Sequence, residues 1–145
     1  LKSGIIIGFE FIKEKNVIGF SNSAFRAELI PEKLSIPQDV AVVDWFFYTL
    51  LLHAGHKAVF SNEMITYYRQ YSDNMIGINN ETLDNYKKKL ALKAMHYRYL
   101  SSSFTEFEEL AKKYSKEKNL TDIQVSTLLQ NNKITYPLWW ENIKI

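Results

Sequence analysis

A single acidic residue interrupts the longest apolar stretch of this sequence. Asp44 stands between residues 40–43 and an aromatic run that begins at Trp45, at the predicted start of a helix. Burying an unpaired carboxylate costs several kcal/mol, so this side chain needs partners. It can cap the helix by accepting hydrogen bonds from the first free amides, which is the commoner role of such a residue. It can also act as a base, because the helix dipole favours the charged carboxylate, which accepts a proton from a substrate hydroxyl.

A second candidate is an arginine near the end of a predicted strand over residues 64–70. The alternation of this segment places Ile65, Tyr67 and Arg69 on one face. An arginine on the apolar face of a strand needs a partner. A structural salt bridge at the strand end can supply that partner. The tyrosines of this segment are expected to be packing residues: Tyr67, Tyr68 and Tyr71.

Other chemistries lack the residues that they need. The sequence has no cysteine, which excludes disulfides, thiol nucleophiles and zinc–thiolate sites. His53 and His56 lie on either side of Gly55 without accompanying carboxylates, which disfavours a metal site there. The five glycines form no phosphate-binding loop. The formal net charge of +2 is too small by itself to imply a nucleic-acid or membrane partner.

The elements that position Asp44 belong to a mixed first part, residues 1–80. This part holds seven basic and eight acidic side chains, whereas residues 81–145 hold eleven and eight. Short β-rich runs surround one buried helix, which is predicted from Asp44 to a glycine stop at Gly55. These runs are residues 4–11, 17–20, 57–60 and 64–70.

Residues 81–145 follow a helical pattern instead. Capping boxes that begin at Thr105 and Thr121 predict two helices, the second carrying Ile123 and Leu128 on its apolar side. A longer helix precedes them, because apolar residues return at three- and four-residue steps: Leu83, Tyr86, Leu90, Ala94 and Tyr97. The predicted fold class is therefore α/β, with a mixed half over residues 1–80 and a helical appendage over residues 81–145.

Four segments of the first part, in order, match a known family. They are Ile-Gly-Phe-Ser-Asn-Ser-Ala-Phe-Arg at 18–26, Val-Asp-Trp at 43–45, Ala-Gly-His-Lys-Ala at 54–58, and Thr-Tyr-Tyr-Arg-Gln-Tyr-Ser-Asp-Asn at 66–74 with Gly77. Residues 18–78 thus resemble the acceptor-side half of family 2 glycosyltransferases. The tyrosine-arginine-glutamine ending is similar to that of bacterial rhamnosyltransferases, which build surface polysaccharides. The resemblance implies an incomplete GT-A-like fold for residues 1–80.

The resemblance also implies roles for five residues. Asp44 matches the family's general base, which deprotonates the acceptor hydroxyl that attacks the anomeric carbon of the donor sugar with inversion. Asn22 is implied to line the acceptor pocket, and Trp45 to border it, although filling the core is at least as good a role for this tryptophan. Arg69 and Gln70 match the strand end beside the donor diphosphate, where a guanidinium offsets the charge of the leaving group.

The sequence departs from the family at two points. Val43 stands where the family often has another acid, and no Asp-x-Asp pair is present to hold a divalent metal, Mn or Mg, against the donor diphosphate. The resemblance therefore implies a metal in the full-length enzyme only. It implies that this piece binds none, is inactive alone, and is the C-terminal part of a longer transferase.

The implied partners are a nucleotide-sugar donor and a glycan or lipid-linked acceptor, and the implied location is the cytoplasm, at the inner face of the membrane. A basic cluster fits such peripheral membrane contact: Lys87, Lys88, Lys89, Lys93 and Arg98. Near anionic lipid, each basic residue contributes about 1 kcal/mol, and Trp139 and Trp140 can anchor at the interface. The usual role of such a cluster is a solvated helix face.

A non-catalytic alternative stays open. In it, an α/β module uses the apolar faces of residues 81–100 and 105–118 to form a homo-oligomer or to dock onto a partner. Nucleic-acid binding has less support, because the lysine cluster lacks interleaved aromatic residues on a basic groove. Residues 40–52 form the longest apolar run, which is shorter than the roughly 20 residues that a membrane-spanning helix needs.

Overall fold

The computed structural model of the chain describes residues 3–67 and 82–131. These residues belong to two compact units, one made of residues 3–38 and 42–67 and the other of residues 39–41 and 82–131. The coarse class predicted from the sequence, a mixture of helix and sheet, is confirmed, with helix predominating. The predicted domain boundary at residue 80 lies outside the described residues and stays a prediction. So do the expectations for several side chains: Tyr68, Tyr71, Trp139 and Trp140.

The first unit combines a small antiparallel ladder with short helices. Ile6 pairs with Val59 and Ile7 with Ala58. Ile7 points into the core, whereas Ile6 and Val59 are exposed on the other face, as the two-residue period of a strand requires. The elements are, in order, β1 (Ile6–Ile7), α1 (Phe9–Ile12), 3-10 turns at Phe20–Asn22 and Ala27–Leu29, α2 (Val43–His53) and β2 (Ala58–Val59).

Helix α2 is the centre of the first unit and is buried on almost every side. Its buried residues are Trp45, Phe46, Phe47, Tyr48, Thr49, Leu51 and Leu52. The predicted glycine stop is confirmed, because Gly55 has φ +93°, a conformation that residues with a Cβ avoid. The amides of Gly55 and His56 donate to the carbonyls of Leu52 and Leu51, which satisfies the last turn in a Schellman motif.

One predicted strand is wrong, the predicted strand over residues 4–11 is cut short because α1 begins at Phe9, and the predicted strand over residues 64–70 does not form in its described part. Residues 17–20 are irregular up to a 3-10 turn that begins at Phe20, and residues 64–67 have no regular structure. Tyr67 is 92% exposed, so its predicted packing role is also wrong. A strand forms where a partner lies beside it, and the only ladder among the described residues is the two-residue pairing of β1 with β2.

The second unit is helical, as predicted. Its elements are α3 (Leu83–Ser101), a 3-10 turn at Thr105–Phe107, α4 (Glu108–Glu117) and α5 (Asp122–Asn131). The fully buried rings of Tyr97 and Tyr114 stack with centroids 5.1 Å apart and join α3 to α4. Ile123 was expected on the apolar side of α5 but is exposed, and Val125 is buried in its place. The core of the unit also contains Val40, Leu90, Ala94, Leu100 and Phe107.

Of the two predicted capping boxes, one forms. Gln124 Oε1 accepts a hydrogen bond from the Thr121 amide at 2.9 Å, and the Gln124 amide donates to Thr121 Oγ1 at 3.4 Å. The box at Thr105 is wrong, because the chain makes a 3-10 turn there and α4 begins three residues later with no side-chain cap. The fully buried Phe107 ends that turn, so packing has displaced the helix start.

The basic cluster is not a uniform solvated face. Lys93 is only 2% exposed, and its Nζ lies 3.3 Å from the Tyr114 hydroxyl. Lys87 forms an ion pair with Asp122, and Arg98 lies 3.4 Å from a carboxylate oxygen of Asp39. The expected membrane contact of this cluster stays a prediction. Among residues 3–67 and 82–131, no helix has both the length and the apolar content to cross a membrane.

Candidate functional site

Asp44 lies in the first turn of α2 and is partly exposed. The sequence suggested Asp44 as the N-cap of this helix. That prediction is wrong, because α2 begins at Val43 and Val42 occupies the capping position. The Val42 carbonyl accepts the first helical hydrogen bond, from the amide of Phe46 at 3.1 Å. Asp44 still serves the helix, because its Oδ1 accepts a hydrogen bond from the Trp45 amide at 2.7 Å.

The two oxygens of the Asp44 carboxylate have different surroundings. Oδ1 also accepts a hydrogen bond from Asn16 Nδ2 at 3.0 Å, so two donors hold it. Oδ2 accepts none from the part of the chain that the structure describes. It faces Gly19, where a Cβ would lie 3.5 Å from it. One oxygen therefore fixes the orientation of the carboxylate and leaves the other for a ligand.

The Gly19 loop brings Asn22 to the same place. Asn22 Oδ1 accepts a hydrogen bond from the Gly19 amide at 2.8 Å, and a Cβ at Gly19 would lie 3.2 Å from that oxygen. Gly19 thus lies between the side chains of Asn22 and Asp44. The Asn22 Nδ2 donates no hydrogen bond to a described residue. Two of the residues implied by the resemblance are therefore neighbours, each with one polar atom committed to the fold and one not.

A hydroxyl pair extends this polar surface. The Tyr48 hydroxyl lies 2.5 Å from Ser23 Oγ, which donates to the Gly19 carbonyl at 2.6 Å, so Tyr48 is the donor of the first bond. Tyr48 follows Asp44 by one helical turn. Burial raises the pKa of Tyr48, and the nearby Asp44 charge raises it further. Tyr48 therefore remains a protonated donor.

Trp45 fills the core instead of bordering an opening. It is fully buried, and its indole N–H donates to the Ile12 carbonyl at 2.8 Å. Of the two roles that the sequence left open for this residue, the geometry favours packing. The Trp45 ring ties α2 to α1 and so holds Asp44 in place.

Arg69 and Gln70 lie outside the described residues, so their implied place beside a donor diphosphate stays a prediction. The described residues also contain no group of three His, Cys, Asp or Glu side chains that could hold the expected Mn or Mg ion. His53 instead packs its ring edge-on against Phe9, with centroids 5.0 Å apart. The described residues therefore do not offer the ligands of a metal site, and the chemistry considered below uses none.

Three site residues were not found from the sequence: Asn16, Ser23 and Tyr48. The position of Tyr48 was readable, because residues four apart share a helix face. Asn16 lies 28 residues before Asp44, and no local pattern could have joined them. Together these groups form a partly exposed carboxylate with one anchored oxygen beside an amide donor. Such a site can accept a proton from a bound hydroxyl. Comparison of the chain with protein-family models, with curated proteins and with solved structures found no match.

Proposed function

We propose that this chain is the acceptor-side part of an inverting glycosyltransferase with a GT-A-like fold. The reaction moves a sugar from a nucleotide-sugar donor to a hydroxyl acceptor in surface polysaccharide synthesis. The observation that carries the proposal is the asymmetry of the Asp44 carboxylate, whose Oδ1 is held by Asn16 and the Trp45 amide while Oδ2 accepts no hydrogen bond from a described residue.

In the proposed reaction, an acceptor hydroxyl donates a hydrogen bond to Asp44 Oδ2. As the acceptor oxygen forms its bond to the anomeric carbon, its proton passes to Asp44. The bond from the anomeric carbon to the nucleoside diphosphate breaks, and the diphosphate leaves with the bonding electrons. Attack opposite the leaving group inverts the anomeric configuration. Asn16 keeps Oδ2 directed at the acceptor, so the base needs no reorientation in the transition state.

The surroundings of Asp44 support this role over that of a buried structural acid. The Asp44 side chain is partly exposed. The amide of its neighbour Asn22 can donate a hydrogen bond to a second hydroxyl oxygen of the acceptor substrate. The docking alternative for the apolar faces of residues 81–100 and 105–118 stays open. Two rings of those faces, Tyr97 of α3 and Tyr114 of α4, stack on each other inside the second unit.

The test compares D44N with the matched control E10Q, which alters an exposed carboxylate of the same unit. Both changes are made in the complete protein that carries this chain. Release of nucleoside diphosphate from UDP-, GDP- and dTDP-sugars is measured with a membrane glycolipid extract as acceptor. Loss of the general base lowers turnover about 10²- to 10⁴-fold in D44N and leaves donor binding intact, whereas E10Q behaves like the unaltered protein. Full turnover by D44N contradicts the proposal, as does the absence of turnover with every donor.

A further inference from the structure

Two phenylalanine rings lie exposed beside the polar site. Phe20 and Phe25 are 47% and 42% exposed, which is unusual for rings with so much apolar area. Both are held from behind by buried rings of α2. The centroid of Phe20 lies 5.4 Å from that of Phe47 and 5.6 Å from that of Tyr48, and the distances from Phe25 are 5.0 Å and 6.2 Å. The two rings therefore have fixed positions and open outer surfaces.

The exposed rings adjoin the hydrogen-bonding groups of the site. Phe20 lies in the turn between Gly19 and Asn22, the loop that faces Asp44 Oδ2. Tyr48 contacts both rings and lies close enough to Asp44 for the carboxylate to raise the pKa of its hydroxyl. An apolar surface thus borders a polar rim around Gly19, made of Asp44 Oδ2, Ser21 Oγ and the side-chain amide of Asn22.

This combination fits one class of small molecule. A pyranose ring has a face of C–H groups that packs on aromatic rings and a rim of hydroxyls that needs donors and acceptors. An acyl chain or an apolar peptide side chain would leave the polar rim without partners, at a cost in desolvation. Binding sites of this kind combine aromatic walls with a few convergent polar groups.

We propose that Phe20 and Phe25 form a platform for a pyranose ring of the acceptor, with its hydroxyls directed at Asn22 and Asp44. This inference rests on the proposed function and specifies the acceptor as a glycan, since a simple alcohol would not use the rings. The platform selects acceptors by the apolar face of the sugar and brings one hydroxyl to Asp44 Oδ2. It acts before the donor reacts, so binding can be measured without a donor.

The experiment titrates the full chain with methyl β-D-galactopyranoside, methyl β-D-glucopyranoside and methyl α-L-rhamnopyranoside. Saturation-transfer NMR gives the affinity, and the linear hexitol sorbitol is the control ligand. F20A and F25A each weaken pyranoside binding about fivefold, in line with the loss of one aromatic contact. F20L and F25L keep the apolar volume and the fold but lose the flat face, and they also bind more weakly. V59S, which alters an exposed apolar residue of the ladder, binds as the unaltered chain does.

Several results overturn the platform. They are unchanged affinity in F20A and F25A, equal binding of sorbitol, and no pyranoside binding up to about 50 mM. A dimer in sedimentation that both alanine variants dissociate assigns the rings to self-association instead. The two proposals fail separately. Sugar binding that ignores both rings, with transfer lost in D44N, overturns the platform alone. Ring-dependent sugar binding with full transfer by D44N overturns the proposed function alone.

Discussion

Replacing His96 with leucine should remove much of the acid sensitivity of the second unit. His96 is buried in α3, and its ring lies edge-on to that of Tyr97 with centroids 5.1 Å apart. Burial lowers the pKa of His96 from 6.5 to about 3, because the charged imidazolium would lose its hydration. The ring is therefore neutral in the folded protein at any pH between these values.

The size of the effect follows from the difference in proton binding. In the unfolded chain His96 takes up a proton near pH 6.5, whereas in the folded protein it does so only near pH 3. The unfolded state thus binds more protons in between. The free energy of unfolding that this site contributes is complete above pH 6.5 and decreases as the pH falls toward 3. The loss is about 1.4 kcal/mol per pH unit, or roughly 3 kcal/mol by about pH 4.5.

Urea unfolding followed by circular dichroism at about pH 7.5 and about pH 4.5 measures this difference. Between the two pH values, the unaltered chain loses roughly 3 kcal/mol more than H96L, and the control H56Q loses as much as the unaltered chain. The ring protons of His96 give a second readout, since their NMR shifts stay constant down to about pH 5. Parallel pH dependence in H96L and the unaltered chain refutes the reasoning, as does a ring that titrates near pH 6.5.

Three further predictions concern single side chains. N16A frees Asp44 from its anchor and lowers transfer roughly 10- to 100-fold, whereas the exposed-site control N62A leaves the rate unchanged in the same assay. T121A breaks the capping box that forms and costs about 1 kcal/mol in thermal or urea unfolding, whereas T105A costs far less because no box forms there. G55A introduces a Cβ at φ +93°, where nothing lies within 4 Å of it, and destabilises the chain by about 1–2 kcal/mol through backbone strain alone.

The longer helices could be predicted because their signals repeat along the chain, whereas the four residues of α1 were read as part of a strand. Helix α3 spans five turns, and the apolar residues Leu90, Ala94 and Tyr97 agree on one buried side. The strands could not, because two paired residues carry no period, and an apolar run such as residues 64–67 forms a strand only beside a partner. Where a buried side chain such as Phe107 competes with a capping box, packing decides the helix start.

The candidate site could be predicted only in part, because local sequence pattern locates a residue on its own helix but not its partners from distant loops. The position of Asp44 in the first turn of α2 followed from local pattern, although the N-cap is Val42, two residues before it. The partner that holds it, Asn16, comes from a loop 28 residues away, and only the folded chain brings the two together. Phe20 and Phe25 look like core residues in the sequence, since nothing local distinguishes a buried ring from one that is half exposed.

The burial of Lys93 gives this protein a built-in unfolding reporter. Its amine is enclosed beside the Tyr114 ring, with Nζ 5.0 Å from the ring centroid. An acylating reagent added to the native chain modifies surface amines at the earliest time points, whereas Lys93 becomes reactive only when α3 and α4 separate. Mass spectrometry of timed acylation therefore reports the opening of these helices at one residue, without a dye or an engineered tag.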